Sequence, residues 1–293
     1  MTTTALATAD GPSTRSHVLR AITETDDFRV MVATTSEVVR AAVEAQKLAR
    51  VNAEPFADLL TGTILIRETM SPAHRVQAVL RGGSGQGSLV SDSHPDGLTR
   101  GLVQGQGDKP FHIGADGSLL MMRAMSKGLH RSMVQPPAGS SVAVALMTYL
   151  QESEQIVSMI DTATVWHDGQ IQLAGGYVVQ LLPDANRAAL AVMAQRLEDF
   201  PPWADMLQTN NGCARALLDE ILYSMPFTQL DDRPVSFGCT CNQQAVVASL
   251  ATLSRDDVAE IVRDQAVVEL TCDYCNRNYQ LRSTQLQGLL SSS

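Results

Sequence analysis

Four cysteines near the end of the chain form its clearest chemical pattern. Cys239 and Cys241 form a C-x-C pair, Cys272 and Cys275 form a C-x-x-C pair, and 30 residues separate the two pairs. Two such pairs supply four thiolates, which is the ligand set of a tetrahedral, structural zinc site. Because four cysteines fill every coordination position, none stays open for a substrate water, and metal-assisted hydrolysis is disfavoured. We expect these four residues to hold one zinc ion.

Two other uses of paired cysteines compete with a zinc site. Structural disulfides are rare in a reducing cytosol. A thioredoxin-like C-x-x-C opens a helix after a strand, whereas Cys272 and Cys275 close a small terminal unit. Zinc is therefore the favoured interpretation, with disulfides and a thiol oxidoreductase kept as alternatives. The fifth cysteine, Cys213, is expected to be a small buried side chain, and no role is assigned to it.

The same four ligands could sense oxidants. Zinc keeps its cysteines as thiolates, the form that oxidants attack, and oxidation to a disulfide or a sulfenic acid removes a ligand. The unit that contains them, residues 237–293, has few large apolar side chains and is small enough to need a staple. Since metal binding supplies folding free energy in such a unit, we expect loss of zinc to unfold it.

Composition and missing motifs disfavour several functions. The formal net charge is −9 and no run of Lys or Arg occurs, so a nucleic-acid surface is disfavoured. Residues 1–27 do not read as a signal peptide and are expected to be a disordered leader. No long apolar run occurs, so we expect a cytoplasmic protein without a membrane span. Neither a GxSxG nor an HExxH motif is present, and the protein is not expected to be an enzyme.

The segments that precede the cysteines predict an α+β domain over residues 28–183. Apolar spacing indicates one helix from Thr35 and a second from Pro55, with the proline in its first position. Alternation in HRVQAVLRGG, and the segments SLVSD, LTRGLVQG and SLLMMRAM, indicate antiparallel strands. Asp168 and Gly169 lie between two apolar segments, which is a strong signal for a β-hairpin.

Residues 184–236 are predicted to form an acidic, amphipathic helical linker. They carry four Arg against eight Asp and Glu, a net charge of −4. One helix is predicted from Arg187, and a second over residues 213–225 has a broad apolar stripe that must be covered. Its members stand at helical spacing: Ala214, Leu217, Leu218, Ile221, Leu222 and Met225. Within the cysteine unit, a helix is predicted over residues 250–263 and a strand over VVELTC.

Together with the cysteines, several segments resemble the heat-shock protein 33 family of redox-regulated holdase chaperones. The resemblance rests on CTC, CDYC and Tyr279, and on YLQESEQ, AGGYVVQLLP, DLLTGTILIRETM and DGLTRGLVQG. It covers nearly the whole chain from about Phe28. It implies an N-terminal antiparallel-sheet domain with helices, a helical linker that lies against it, and a small C-terminal zinc domain that covers the linker in the reduced state.

The resemblance also implies a mechanism, that of an ATP-independent holdase. Oxidation by peroxide or hypochlorite would form disulfides within each pair, Cys239 with Cys241 and Cys272 with Cys275. Zinc would then be released and the linker would unfold. The surface created in this way would bind unfolding polypeptides, and a homodimer of the oxidised form is a further expectation. The candidates for client contact are Leu217, Leu218, Ile221, Leu222 and Met225.

Two positions depart from the family's pattern. Asn276 follows the last cysteine where glycine is usual, but asparagine also tolerates the left-handed backbone that such a turn can require. Gly238 stands where a larger, often basic residue is common, and neither change removes a ligand. The rival interpretation is a zinc-ribbon module that binds a protein or nucleic-acid partner constitutively. Four Arg against six Asp and Glu over residues 237–293 disfavour nucleic acid.

Overall fold

The computed structural model describes residues 15–105, 109–125, 128–183, 185, 187–250, 256, 259–260, 263 and 267–282. The chain divides into two compact units, Met1–Phe237 and Gly238–Ser293. Both combine helices with antiparallel strand pairs, so the α+β class predicted from the sequence is confirmed. Among the described residues, no helix is both long and apolar enough to cross a bilayer.

The first unit contains two sheets. The five-stranded sheet is formed by β1 (His17–Thr23), β2 (Phe28–Thr34), β8 (Ser158–His167), β9 (Gln170–Leu181) and β10 (Phe227–Pro234). Its spatial order is β10-β1-β2-β9-β8, and every neighbouring pair is antiparallel. Asp168 and Gly169 both have positive φ angles, 48° and 76°, at the turn that joins β8 to β9. The predicted hairpin is therefore confirmed, with the turn that its sequence favours.

The six-stranded sheet is formed by β3 (Arg75–Arg81), β4 (Ser88–Ser93), β5 (Leu98–Gln104), β6 (Ser118–Met125), β7 (Gly128–Val134) and β11 (Ser236–Phe237). Its order is β11-β5-β4-β3-β6-β7, with a parallel pair only between β11 and β5. The segments HRVQAVLRGG, SLVSD, LTRGLVQG and SLLMMRAM correspond to β3, β4, β5 and β6, as predicted.

Three helices fill the space between the sheets. They are α1 (Ser36–Gln46), α2 (Arg50–Thr69) and α3 (Val142–Glu152), and each contacts strands of both sheets. Their apolar side chains join those of the facing strands in one buried cluster, in which Phe56 and Leu60 are fully buried. This cluster is the main core of the first unit.

A second apolar layer covers the other face of the five-stranded sheet. The helices α4 (Arg187–Glu198), α5 (Trp203–Thr209) and α6 (Ala214–Ile221) contribute to it. α5 contacts β8 and β9, α6 contacts β1 and β2, and the Trp203 ring meets Tyr177 edge-on with 4.7 Å between centroids. The linker helices are therefore part of the folded first unit.

Two glycines in AGGYVVQLLP allow close packing around β9. A Cβ on Gly175 would lie 2.6 Å from the Ala33 carbonyl oxygen and 3.0 Å from Leu207 Cδ2. A Cβ on Gly176 would lie 2.5 Å from the Asp161 carbonyl oxygen. Neither space admits a side chain. The two glycines therefore allow β2, β8 and α5 to approach β9 closely.

The predicted helix boundaries need two corrections, one of which is that the helix predicted over residues 213–225 ends at Ile221. The helix predicted from Pro55 begins at Arg50, and Pro55 lies inside it. Proline removes one backbone hydrogen bond, the one to the carbonyl of Val51. Because Val51 is 46% exposed, water can satisfy that carbonyl, and the helix continues through the proline. The helix predicted from Thr35 is confirmed, with Thr35 as the residue before its first turn.

Two of the predicted domain boundaries also differ from the structure. The disordered leader was expected to reach residue 27, but β1 is paired on both sides, with β2 and with β10. Val18, Leu19 and Ala21 are buried, because β1 lies between two apolar layers. The expectation for residues 1–14 lies outside the described residues. The linker was expected to be helical through residue 236, but Phe227–Pro234 forms the edge strand β10.

The second unit contains α7 (Gln243–Leu250) and an antiparallel pair, β12 (Val267–Thr271) with β13 (Asn278–Arg282). The strand predicted over VVELTC is confirmed. Most of the helix predicted over residues 250–263 lies outside the described residues. Among the described residues of this unit, the buried apolar side chains besides Cys272 are those of Val268 and Leu281. Such a small apolar core supplies little folding free energy.

Candidate metal centre

The four cysteines of the two pairs converge in the second unit. The Sγ atoms of Cys239 and Cys272 are 3.8 Å apart, and those of Cys241 and Cys275 are 3.4 Å apart. All four Sγ atoms lie within 4.8 Å of one another. The structure therefore brings together every residue that the sequence predicted as a ligand, as free thiols.

This cluster fits a metal ion. With metal–sulfur bonds of about 2.3 Å, tetrahedral geometry places ligand sulfurs about 3.8 Å apart. The Sγ–Sγ distance between Cys239 and Cys272 equals this value, and that between Cys241 and Cys275 is slightly shorter. Cys272 is buried and the other three cysteines are partly exposed, so the site lies at the surface of its unit. A chelating set of four sulfurs is thus formed by the protein itself.

Local backbone structure positions the second pair. Cys272 follows β12, its N–H donates to the Arg277 carbonyl at 3.0 Å, and its carbonyl accepts from the Asn276 N–H at 2.8 Å. Asn276 has a φ angle of 53°, which is the left-handed conformation expected for it from the sequence. The turn between β12 and β13 therefore holds Cys272 and Cys275 on one side, and Asn276 meets its backbone requirement.

Tyr279 is a contact of the site that sequence reasoning did not assign. Its hydroxyl lies 3.1 Å from Cys241 Sγ and 3.1 Å from the Cys241 carbonyl oxygen, so one proton serves two acceptors. Tyr279 lies on β13 opposite Leu270. In this register its ring reaches the first cysteine pair. From the sequence, Tyr279 supports only the family resemblance, since spacing alone does not reveal a contact 38 residues away.

The thiols differ in acidity. Burial raises the pKa of Cys241, but hydrogen bonds from Tyr279 and the other cysteines outweigh burial and lower that pKa to about 7. Burial raises the pKa of Cys275 to about 12 and also raises that of Cys272. Without a metal, Cys241 is therefore the first of these three to ionise. A cation that takes all four sulfurs must displace protons, so its affinity rises with pH.

Cys213 differs from its prediction. The sequence predicted a buried side chain, but Cys213 is exposed and occupies the N-cap position of α6. The apolar stripe starts one residue later at Ala214, so the helix turns Cys213 away from the buried face. It lies in the first unit and contributes nothing to the sulfur cluster.

The stripe of α6 is covered by the five-stranded sheet. Leu217, Leu218 and Ile221 are 0% exposed and Leu222 is 2% exposed, while Met225 is partly buried against the same cluster. The strands that face α6 are β1 and β2, and their side chains in this cluster include Leu19 and Val30. In this structure four of the five candidate client residues are therefore buried, and Met225 is partly exposed.

Comparison with known proteins agrees with this architecture. The family model described as "Hsp33 protein" matches residues 16–282. A 33 kDa chaperonin of Syntrophotalea carbinolica is 27% identical, covering 94% of this chain and 100% of that protein. The 33 kDa chaperonin of Clostridioides difficile is 23% identical, covering 94% of this chain and 99% of that protein.

Solved structures give the same result for the fold. The crystal structure of a 33 kDa chaperonin from Thermotoga maritima, described as a heat shock protein 33 homolog, superposes with a TM-score of 0.82. The two chains are 20% identical, and the match covers 94% of this chain and 98% of that one. The resemblance stated from the cysteine motifs is thereby confirmed, and this chain belongs to the Hsp33 family.

Proposed function

We propose that this protein is a cytoplasmic, redox-regulated, ATP-independent holdase chaperone and not an enzyme. The observation that carries the proposal is the convergence of four free thiols in a unit whose described part buries very few apolar side chains. A unit of this kind depends on its metal for folding, and its metal depends on reduced sulfur. Membership of a chaperone family supplies the activity that this dependence would control.

One zinc ion is the proposed cofactor. Four thiolates in a tetrahedral set favour zinc over calcium, magnesium or manganese, which prefer oxygen ligands. When bound, zinc would keep Cys239, Cys241, Cys272 and Cys275 as thiolates and would staple the segment before α7 to the turn between β12 and β13.

The proposed switch is oxidation of these thiolates by a peroxide. Four thiolates, two molecules of hydrogen peroxide and four protons give two disulfides and four water molecules. Each pair of thiolates loses two electrons to one peroxide as its disulfide forms, and the sulfurs then cease to be anionic ligands. We assign the disulfides to Cys239 with Cys241 and Cys272 with Cys275, the pairing implied by the family resemblance. The short Sγ contacts in the structure join Cys239 with Cys272 and Cys241 with Cys275, so this pairing requires the four sulfurs, which lie within 4.8 Å of one another, to rearrange.

The proposed active surface comes from the linker. If α4 to α6 unfold when the second unit loses its metal, Leu217, Leu218, Ile221, Leu222 and Met225 become accessible. An unfolding polypeptide that exposes apolar side chains would bind them and be kept from aggregating. A homodimer of the oxidised form remains part of the proposal.

The test compares two states of one preparation. Reduced, zinc-loaded protein and peroxide-treated protein are assayed for suppression of light scattering by a heat-unfolding enzyme, without ATP. We expect suppression only after oxidation, with restoration of the inactive state by thiol reductant and zinc. Equal suppression of aggregation by the reduced and the oxidised protein would contradict the redox switch and favour the constitutive zinc-ribbon module.

A second measurement follows the site directly. Zinc and free thiols are counted before and after peroxide in a Cys213→Ser background, because the exposed fifth thiol would otherwise enter the count. We expect one zinc and four thiols to be lost together. Catalytic turnover of a disulfide substrate by Cys272 and Cys275 would instead favour a thiol oxidoreductase.

A further inference from the structure

A groove opens on the surface of the first unit where three elements meet. It lies between the end of α1, the start of α2 and the hairpin of β8 and β9, and its volume is about 580 Å³. Pockets that bind small organic molecules have volumes of about 300–1,000 Å³. Its described lining residues all belong to the first unit, and none of them is a cysteine. The groove is therefore no part of the candidate metal centre, and it is large enough for a molecule of nucleotide size.

The floor of the groove is apolar. Ile171 is buried in the main core of the first unit, and the side chains of Val43, Leu48 and Trp166 are partly exposed and pack against this core. Trp166 lies opposite Ile171 in the register of β8 with β9, so the two side chains share one face of the hairpin. A flat aromatic body that lay on this floor would remove apolar surface from water.

The charged residues that line the groove are mostly basic. They are Arg40 on α1, Lys47 directly after α1 and Arg50 at the start of α2, with Glu44 as the acidic member. Three cations and one anion give the lining a net charge of +2, on a chain whose net charge is −9. Within the part of the chain that the structure describes, neither Arg40 nor Lys47 has an ion-pair partner. Two cations at the groove are therefore available to an anionic ligand.

Arg50 is the cation whose position the protein fixes. Its guanidinium lies over the Trp166 ring, 5.3 Å from the ring centroid, and its Nε donates to Glu54 Oε1 at 3.0 Å. Glu54 offsets one positive charge, so the surplus at the groove falls from +2 to +1, which still favours an anion. Because Arg50 is already held beside the floor, its ordering would cost a ligand little side-chain entropy.

The helix ends beside the groove do not cancel its basic charge. Lys47 has a φ angle of 52°, and its N–H donates to the Glu44 carbonyl at 3.0 Å. The N–H of Leu48 donates to the Val43 carbonyl at 3.2 Å. These bonds satisfy two carbonyls at the end of α1 that would otherwise attract a cation. At the start of α2, Ala49 supplies no side-chain cap, so the first turn adds partial positive charge.

A second groove, near α6, differs in its charge. Its volume is about 480 Å³, and Glu24 and Asp219 line it against Arg215. Arg215 is already paired with Asp219, with 3.0 Å between Nη2 and Oδ1. This groove therefore offers no surplus of positive charge, and the basic lining is a property of the groove at α1 and α2.

We propose that the groove at α1 and α2 binds an aromatic phosphate of the size of a nucleoside monophosphate. The flat base lies on the apolar floor, and the phosphate contacts Arg40, Lys47 and Arg50. Phosphate suits this set, because the planar guanidinium fork matches its oxygens and lysine adds a point charge. Among the described residues, neither a cysteine nor a cluster of metal ligands lines the groove, so the site is one of binding and not of catalysis. It is compatible with an ATP-independent holdase and does not rest on that function.

The test titrates three probes into the full-length, reduced, zinc-loaded protein by isothermal calorimetry. AMP carries the aromatic body and the charge, adenosine carries only the body, and inorganic phosphate carries only the charge. Arg40→Gln/Lys47→Gln removes two exposed cations from the groove. The matched control Arg81→Gln/Arg131→Gln removes two exposed cations from β3 and β7, which do not line it.

We expect AMP to bind with a Kd of about 10 μM to 1 mM, and adenosine and inorganic phosphate to bind at least about tenfold more weakly. The groove variant should bind AMP at least about tenfold more weakly than the parent, because it loses two of the three cations that contact phosphate. The control variant should bind as the parent does, and thermal melting should confirm that both variants fold.

Three calorimetric outcomes would overturn the proposal. Absence of AMP binding at millimolar concentration would leave the groove without its ligand. Inorganic phosphate that binds as tightly as AMP would reduce the site to a charged surface without an aromatic subsite. Equal binding of AMP by the groove variant and the parent would place the ligand elsewhere.

Tryptophan fluorescence locates the bound ligand. The chain has two tryptophans, Trp166 on the floor of the groove and Trp203, which is 4% exposed in the cluster under the linker helices. AMP should quench the emission of the parent and of Trp203→Phe, and Trp166→Phe should lose this quenching. Quenching that persists in Trp166→Phe and disappears in Trp203→Phe would place AMP at the linker and overturn the proposal. Since no oxidant is used, failure here leaves the redox switch untouched, and loss of the redox switch leaves AMP binding intact.

Discussion

The Tyr279 hydroxyl is a group outside the four cysteines that affects the acidity of one of them. It contacts Cys241 Sγ at 3.1 Å, and its hydrogen bond contributes to the lowered pKa of that thiol. A hydrogen bond to a thiolate stabilises its charge, and nucleophilicity falls as the pKa falls. We therefore expect Tyr279 to slow the attack of an oxidant on Cys241.

For Tyr279→Phe we expect peroxide to release zinc severalfold faster, because the Cys241 thiolate loses a donor and gains nucleophilicity. The rate is followed with a chromogenic zinc chelator under excess peroxide. Tyr223→Phe, which changes a tyrosine that is 72% exposed on the first unit, should leave the rate unchanged. A slower or unaltered release in Tyr279→Phe would show that the hydroxyl does not restrain attack.

Asn276 is the residue at which the backbone of the metal turn is most demanding. Its φ angle of 53° suits glycine and asparagine, whereas a β-branched side chain is strained in this region by about 1–2 kcal/mol. Because folding of this unit is proposed to depend on its metal, that strain should appear as weaker zinc retention.

For Asn276→Val we expect zinc to be lost to a competing chelator at about 5–30-fold lower chelator activity than in the parent protein. Asn276→Gly, which restores the residue usual in the family, should retain zinc at least as well as the parent. The comparison is made under reducing conditions, so that oxidation does not contribute. Equal retention by the valine variant would mean that the turn relaxes without cost to the site.

At the scale of elements, α6 carries client-contact candidates of the proposed switch and is held against the five-stranded sheet. Its three fully buried residues, Leu217, Leu218 and Ile221, pack on the five-stranded sheet, while Cys213 before its first turn is exposed. The helix has only eight residues, which is short for stability on its own. Its helical state therefore depends on packing against the sheet.

For Leu218→Ala we expect α6 to lose about 2–5 kcal/mol of packing and the reduced protein to suppress aggregation partially without oxidant. The same light-scattering assay measures this, with zinc content determined in parallel to show that the metal is retained. Val192→Ala on α4, at a residue that is 53% exposed, is the control and should stay inactive when reduced. Suppression that remains strictly oxidation-dependent in Leu218→Ala would separate α6 from the switch.

The elements also show what sequence patterns can and cannot predict. The stripe on α6 was predictable, because apolar residues at helical spacing need a covering surface. The surface that covers the stripe was not predictable, because it includes β1, and the sequence pattern of β1 had indicated a disordered leader. β10 was missed because most of its side chains are exposed, so an edge strand pairs through its backbone without leaving an alternating pattern.

The cysteine site was more predictable than the elements around it. Ligand type and spacing are local properties, and they identified all four sulfurs that converge. The Tyr279 contact depends on the register of β12 with β13, which brings together residues distant in sequence. The exposure of Cys213 depends on which face of α6 meets the sheet, because the buried face begins one residue later, at Ala214.

For the whole molecule, the decisive property is the contrast between the buried clusters of the first unit and the few buried apolar residues in the described part of the second. The first unit has two buried apolar clusters, one between its sheets and one under the linker helices. In the described part of the second unit, the buried apolar residues besides Cys272 are Val268 and Leu281. A structural zinc site supplies about 10–16 kcal/mol of binding free energy, which far exceeds the burial of two side chains.

Removal of zinc from the reduced, full-length protein should therefore unfold one unit and spare the core of the other. By hydrogen exchange with mass spectrometry, we expect amides of β12 and β13 to lose protection on addition of a strong chelator. Amides of α2, β2 and β9 should keep theirs, because their cluster contains no metal ligand. Cys213→Ser should exchange as the parent does. Protected β12 and β13 amides in protein shown to be free of zinc would contradict the proposed dependence of folding on metal.

Amides of α6 are the informative probe for the linker. Loss of their protection when zinc is removed would show that the metal controls the linker. Retention of their protection would leave oxidation itself as the trigger.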